Sequence, residues 1–332
     1  MIIKKISVIG DGGWGTTLAI HLSKKGHEVT LWSAFKPYVA ILRRSRKNSK
    51  FLPGINIPKA INITSDIKEA MENSEIIVLA VPSCYIRQVL LKIKKTNYKK
   101  SLFLSVSKGI EEKTHQRVSE IIYKVLGKIN LSILSGPNIA YEVARGYPAT
   151  CVIASKSMSQ AKTLQKVFTN DKLRAYTSND LCGVELGGSL KNIIAIAAGI
   201  SDGLGFGMNA KAAIVTRGLV EMARFGVALG AKRETFNGLS GIGDLVTTCM
   251  SGHSRNHSVG QKIGEGKKLK DIITHMDMVA EGVKTTKSVY KLNKKYKINM
   301  PITTEIYKVL YNNKSPLKAV SDLMLREKKM ED

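Results

Sequence analysis

Lys191 and Asn192 stand in the middle of Val184-Glu185-Leu186-Gly187-Gly188-Ser189-Leu190-Lys191-Asn192-Ile193-Ile194-Ala195-Ile196-Ala197-Ala198-Gly199. That stretch reads as a helix apolar nearly all round, hence buried. A lysine buried there needs a partner or a purpose, unless its stem snorkels out to water. Asp244 is a lone acid after the glycine-rich turn at 238–243 and before Leu245-Val246. It reads either as a helix cap or as part of a site. Ser254-Arg255-Asn256 lies ten residues on. Its guanidinium fork suits a phosphate, and its asparagine adds a neutral donor; a plain surface loop is the alternative. Gly10-Asp11-Gly12-Gly13-Trp14-Gly15 is G-x-G-x-x-G. In such a loop Gly10 permits a tight turn, Gly12 lets backbone approach a pyrophosphate and Gly15 lets a helix pack on a strand.

These residues need elements to hold them. Ile6-Ser7-Val8-Ile9 predicts a buried strand before the glycine loop, and Thr16–Leu22 has helical spacing after it. Glu28–Trp32 predicts a second strand, which completes the βαβ context that the motif requires. The helix N-terminus offers unpaired N–H groups to phosphate. No acid follows Trp32 to hold ribose hydroxyls. Lys36, Arg43, Arg44 and Arg46 suit a 2′-phosphate instead, which leans towards NADPH, or simply form a solvated helix face. Residues 37–75 read as helix and loop. The runs at 76–81, 102–106 and 131–134 predict further strands, as do 150–154 and 173–176. Helical segments between the strands imply an α/β, doubly wound parallel sheet. Lys108 and Gly136-Pro137-Asn138 fall at carboxyl ends of strands, where ligands sit in such sheets. Past residue 183 helical periodicity dominates. The expected division is a Rossmann-like unit over 1–185 and an all-helical, substrate-binding unit over 186–332.

Composition narrows the class. With 332 residues and 43% hydrophobic content, the chain can build a large core. No apolar run approaches the length of a membrane span, and no signal-peptide pattern opens the chain. Cys84, Cys151, Cys182 and Cys249 have no metal-site spacing and read as reduced thiols, as in a cytoplasmic protein; no metal is expected. The net charge of +26 comes from lysines spread along the chain, not gathered with aromatics in one segment. That spread fits a general lysine richness, with Ile and Asn abundant beside the Lys and steering of phosphates as a side benefit, better than nucleic-acid binding as the main function.

Together the motifs resemble the bacterial NAD(P)-dependent glycerol-3-phosphate dehydrogenases, from residue 6 to about 312. The resemblance rests on the glycine fingerprint, Ser107-Lys108-Gly109-Ile110-Glu111, Ser135-Gly136-Pro137, Leu186–Asn192, Gly241-Ile242-Gly243-Asp244-Leu245, Ser254-Arg255-Asn256, Glu281-Gly282 and Pro301–Tyr307. It implies reduction of dihydroxyacetone phosphate to sn-glycerol 3-phosphate with NADPH or NADH, feeding glycerophospholipid synthesis. It also implies catalytic Lys191, supported by Lys108 and Asp244. Substrate contacts would come from Lys108, Gly136, Asn138, Lys191, Asp244, Ser254, Arg255 and Asn256. Cofactor contacts would come from Gly10, Gly12, Gly13, Trp14, Gly15, Lys108, Ala140, Arg255, Val279 and Glu281. Ala34-Phe35 and Trp14 depart from the residues that relatives usually carry, and the first leaves the choice of dinucleotide open. The expected partner is a small phosphorylated substrate, and a homodimer is compatible with the sequence. The rivals are a β-hydroxyacid-type dehydrogenase and a basic nucleic-acid or anionic-lipid binding protein.

Overall fold

The computed structural model describes residues 2–276, 279–328, 330 and 331. Eight strands form one sheet: β1 (Lys5–Ile9), β2 (Glu28–Trp32), β3 (Asn62–Thr64), β4 (Ile76–Leu79), β5 (Leu102–Ser105), β6 (Asn130–Ser135), β7 (Ala149–Ser155) and β8 (Leu173–Ser178). Their spatial order is β3-β2-β1-β4-β5-β6-β7-β8. The first six follow the dinucleotide-binding order, which reverses between β1 and β4 and opens a crevice there. Val8 lies opposite Leu31 on one side and Val78 on the other. The run Ile76–Leu79 is apolar throughout because both sheet faces are covered. Ile76 and Val78 join the core on one face with Leu18, while Ile77 and Leu79 join the other with Leu90 and Ile121.

Two sequence expectations change here. The sheet is not wholly parallel, since β7 runs antiparallel to β6. Strand β3 lies inside the stretch read as helix and loop. Its three residues pair with Thr30, Leu31 and Trp32, a run too short to show alternation.

The sheet is flanked by α1 (Gly13–Lys24), α2 (Lys36–Ser45), α3 (Ile67–Met71), α4 (Ser83–Ile93), α5 (Val118–Leu126), α6 (Ala140–Ala144) and α7 (Met158–Phe168). Beyond β8 the described residues are helical or loop: α8 (Leu181–Gly203), α9 (Met208–Ala228), α10 (Asp244–Met250), α11 (Arg255–Gly264), α12 (Leu269–Thr274), α13 (Glu281–Tyr296), α14 (Pro301–Tyr311) and α15 (Pro316–Met324). The glycine-rich stretch before Asp244 is wound as a 3-10 turn over Arg233–Asn237 and a π-helical turn over Leu239–Gly243. Single π turns occur often at functional sites.

Helix α8 is the axis of the helical part. By length and hydropathy it would pass for a membrane span, contrary to the reading from sequence, but 94% of its apolar window is buried inside the protein. Asp180 caps its start, accepting from Gly183 N–H at 2.8 Å, and also accepts from Lys232 N–H and the Thr235 hydroxyl. Helix α11 packs on it backbone to backbone. A Cβ on Gly199 would sit 2.0 Å from the His257 carbonyl oxygen, and one on Gly260 would sit 2.1 Å from that of Ile196. Only glycine permits that approach, which fixes the start of α11 beside the middle of α8.

Candidate active site

The crevice between β1 and β4 holds the glycine loop. Gly10 N–H donates to the Trp32 carbonyl at 3.0 Å, so the loop begins tied to the end of β2. Its φ is +122°, and a Cβ there would lie 2.6 Å from the Ala80 carbonyl oxygen. A Cβ on Gly15 would meet the Gly10 carbonyl oxygen at 2.0 Å, so α1 can start only with glycine there. At Gly12 no atom lies within 4 Å of the Cβ position. Helix α1 has neither a side-chain cap nor an acid in its first turn, so its leading N–H groups keep their capacity for an anion. Gly13 packs against the Phe51 carbonyl and near Ala140, whose own carbonyl accepts from the Thr17 hydroxyl at 3.0 Å. Trp14 is half-buried against the core. This cradle fits a dinucleotide pyrophosphate.

A second cluster forms where β5 and β6 end against α8 and α10. Gly109 N–H donates to Ser189 Oγ of α8 at 2.9 Å, which docks the turn carrying Lys108. Lys108 Nζ donates to Asp244 Oδ2 at 2.7 Å, and Lys191 Nζ donates to Asp244 Oδ1. Lys191 Nζ also donates to Thr248 Oγ1 at 2.7 Å. Ser135, the last residue of β6, donates to Asp244 Oδ2 at 3.3 Å. The Asp244 side chain is 1% exposed and that of Lys191 10% exposed. Asp244 is therefore no cap: it is the first residue of α10, whose start has no side-chain cap, and its carboxylate bridges two ammonium groups. Lys191 does not snorkel to solvent.

Burial pushes the Lys191 ammonium down from its usual 10.5 to about 7; Asp244 opposes that fall and Lys108 adds to it. Burial alone would raise the Asp244 carboxyl, but Lys108 and Lys191 hold it below the ordinary carboxylate range. A lysine held near neutrality can both give and take a proton at working pH.

Gly136 has φ +141° just beyond β6. Asn138 donates to the Thr150 carbonyl at 2.7 Å, while its Oδ1 is buried with no partner among the described residues.

The remaining candidates gather at the starts of α11 and α13. Ser254 caps α11 by accepting from His257 N–H at 3.2 Å. Arg255 is exposed and donates to the Val279 carbonyl at 2.7 Å. Asn256 is buried, and its Oδ1 accepts from Gly282 N–H at 2.9 Å. A Cβ on Gly282 would lie 2.7 Å from the carbonyl of Asn192, next to Lys191. Glu281 reaches across to the start of α4, where its carboxylate accepts from Ser83 N–H at 2.9 Å and from the Ser83 hydroxyl at 2.5 Å. Burial raises the Glu281 carboxyl, and the Ser83 hydrogen bonds oppose that rise.

Thus residues from widely separated parts of the chain converge in three groups: the glycine loop with Ala140, the Lys108–Asp244–Lys191 bridge, and the Arg255–Val279 and Asn256–Gly282 pairs with Glu281. Thr248 and Ser83 lie outside the residues marked by the sequence, and Ser135, part of a quoted motif, gains its role only from its bond to Asp244. Thr248 lies four residues after Asp244 on one helix, a spacing visible in the sequence; nothing local marks Ser83. Among the described residues no cluster of His, Cys, Asp or Glu is arranged to hold a metal. All four cysteines are free thiols.

Fold and cluster together define a dehydrogenase with a dinucleotide-binding sheet and a helical second part. The family described as NAD-dependent glycerol-3-phosphate dehydrogenase matches with its N-terminal model over residues 5–161 and with its C-terminal model over 180–321. The chain belongs to that family. Glycerol-3-phosphate dehydrogenase [NAD(P)+] of Thermoanaerobacter sp. (strain X514) is 50% identical over 327 residues, 98% of each chain. The crystal structure of glycerol-3-phosphate dehydrogenase from Coxiella burnetii superposes with a TM-score of 0.94 at 36% identity, covering 98% of this chain and 99% of that one. A D-mandelate dehydrogenase complex with NADH shares the fold alone, at 14% identity and a TM-score of 0.63 over 96% of this chain and 99% of that one.

Proposed function

We propose that this enzyme reduces dihydroxyacetone phosphate to sn-glycerol 3-phosphate at the Lys108–Asp244–Lys191 bridge. The observation that carries this reading is the Lys191 ammonium, buried and aimed by one carboxylate at the carboxyl ends of β5 and β6. The dinucleotide, when bound, supplies the hydride. The ketone carbon gains that hydride, and negative charge builds on its oxygen. Lys191 meets that charge and delivers the proton that completes the alcohol. Asp244 holds the ammonium in place, and Lys108 adds a second positive charge beside the oxygen. Arg255 and Asn256, with Ser254, hold the substrate phosphate, so remote binding energy orients the reacting carbon. Gly136 and Asn138 line the substrate side. Gly10, Gly12, Gly13, Trp14, Gly15, Ala140, Val279 and Glu281 line the dinucleotide side.

The same reading makes the division of labour follow 1–185 for the dinucleotide and 186–332 for the substrate, with α8 continuous across that line. It makes the product a precursor for glycerophospholipids and the enzyme cytoplasmic, consistent with four free thiols. A homodimer is compatible with it, and light scattering on the purified chain tests that. The test of the reaction is absorbance at 340 nm with dihydroxyacetone phosphate and NADH or NADPH. Oxidation that depends on the phosphorylated ketone supports it; folded protein that oxidises neither dinucleotide refutes it.

Replacing Arg255 with alanine should raise KM for dihydroxyacetone phosphate by about 10–100-fold, the worth of a charge-assisted phosphate contact, with a smaller fall in kcat. An unchanged KM in steady-state kinetics removes Arg255 from the phosphate site. The pH dependence follows from Lys191 near 7. Reduction needs the ammonium, so its kcat/KM should fall as pH rises past about 7. Oxidation needs the free amine, so its rate should rise over the same interval. Parallel profiles in the two directions would contradict the assignment.

A further inference from the structure

We infer that Asp11 stands in for the acid missing after β2: its carboxylate accepts the adenosine ribose hydroxyls and thereby selects NADH over NADPH. The inference rests on the dehydrogenase reading above and names which dinucleotide that site takes.

Dinucleotide sites of this fold that take NAD usually carry an acid at the end of β2, where it binds the ribose hydroxyls. In this chain Trp32 is followed by Ser33, Ala34, Phe35 and Lys36. An acid is nevertheless present at that place in space. Gly10 N–H is bonded to the Trp32 carbonyl, so the residue after Gly10 emerges beside the residue after Trp32. The Ser33 side chain lies near enough to the Asp11 carboxyl to oppose its rise. The Ser33 oxygen accepts from Phe35 N–H at 3.3 Å, which fixes that side chain at the end of β2.

The Asp11 backbone is clamped, which sets the direction of the side chain. Its carbonyl accepts from Asn48 Nδ2 at 2.7 Å and from the Thr16 hydroxyl at 3.1 Å. Asp11 is 7% exposed, and its Oδ2 has no hydrogen-bond partner among the described residues. A buried carboxylate oxygen without a donor is costly, and a ribose hydroxyl is a donor of the right kind at this end of the loop. Burial raises the Asp11 carboxyl, while Ser33 and the positive charge of Lys50 oppose that rise.

Two of the bases that suited a 2′-phosphate in the sequence are turned to other work. Arg43 Nε donates to the Ile63 carbonyl at 2.6 Å, and Arg46 donates to the Ile61 carbonyl at 2.8 Å. They fasten α2 and the segment after it to β3. A 2′-phosphate would place about −1.5 to −2 charges beside the Asp11 carboxylate. Like charges side by side disfavour the complex, and a carboxylate cannot donate to phosphate oxygens.

The test is dinucleotide binding by the intact chain without ketone, followed by nicotinamide fluorescence for NADH and NADPH separately. The wild-type chain should bind NADH at least about tenfold more tightly than NADPH, the worth of one hydrogen bond to a charged group. Asp11→Asn keeps the shape but loses the charge. It should weaken NADH, strengthen NADPH and shrink the ratio of the two Kd values by about tenfold. A wild-type chain that binds NADPH the more tightly overturns the inference, whatever the variant does. So does an unchanged ratio in Asp11→Asn with a wild-type melting temperature. Failure of the folded wild-type chain to bind either dinucleotide overturns the dehydrogenase reading itself.

Discussion

Replacing Lys191 with methionine should lower kcat for ketone reduction by about 10²–10⁴-fold, the usual worth of a positioned proton donor. The chain should remain folded. Methionine has a similar length, and Asp244 keeps Lys108 at 2.7 Å and Ser135 at 3.3 Å as partners. Asp244 is therefore not left as an uncompensated buried charge, which is the condition under which removing one partner of a buried pair is strongly destabilising. The fall in kcat should therefore come without a fall in melting temperature, and NADH or NADPH affinity should be unchanged. The limb of the pH–rate profile near 7 should vanish with the amine that produces it. A variant whose kcat stays within a few-fold of the parent would end the assignment of Lys191 as the acid.

Replacing Asp244 with asparagine should have the second-largest effect, and it should act through Lys191. Asp244 is the group that holds the Lys191 ammonium up against burial and against Lys108. Without its charge the amine loses its proton more readily, so the descending limb for ketone reduction should move to lower pH. Each unit of that movement is tenfold in protonated fraction, so reduction at pH 7.5 should fall by about 10–100-fold. Stability should fall too, because removing one partner of a buried pair costs about 3–5 kcal/mol when the other stays charged.

That loss should depend on pH in a defined direction. In the folded wild-type chain Lys191 titrates near 7, against 10.5 for an ordinary lysine. Between those values the unfolded chain carries the extra proton, so this group makes the folded state more stable as pH rises through the window. Below 7 both states carry it and the cost of burying the charge is complete. In Asp244→Asn the folded-state value is lower, so the same gain begins at lower pH. Urea denaturation of both proteins at pH 6 and pH 9 should show the larger difference at pH 6. A difference independent of pH would mean that Asp244 does not set the charge of Lys191.

The parts of this site legible in the chain were those whose physics is local. A loop of glycines between a strand and a helix constrains its own backbone, so Gly10, Gly12 and Gly15 can be assigned separate jobs from spacing alone. A lysine inside an apolar helix is conspicuous wherever the helix ends up. Strand β3 was hidden because three residues carry too little pattern, and the antiparallel β7 because strand direction is set by the path between strands. The helical winding before Asp244 was hidden by its glycines, which ordinarily signal a loop.

Residue order and spacing alone carry a dinucleotide loop, a buried lysine, a division between sheet and helices, and the succession of motifs that marks the family. The role of Asp244 emerges from packing. Capping a helix and bridging two lysines make the same local demand, an acid at the first turn, and differ only in which side chains arrive from elsewhere. Lys108 arrives from the end of β5 and Lys191 from α8, because β5 and β6 end against that helix and the glycines on α8 let α11 and the π-helical turn that leads into α10 close upon it. The low proton affinity of Lys191 is likewise a tertiary property: it comes from exclusion of water by packed helices and from charges distant in sequence, neither of which a lone residue carries.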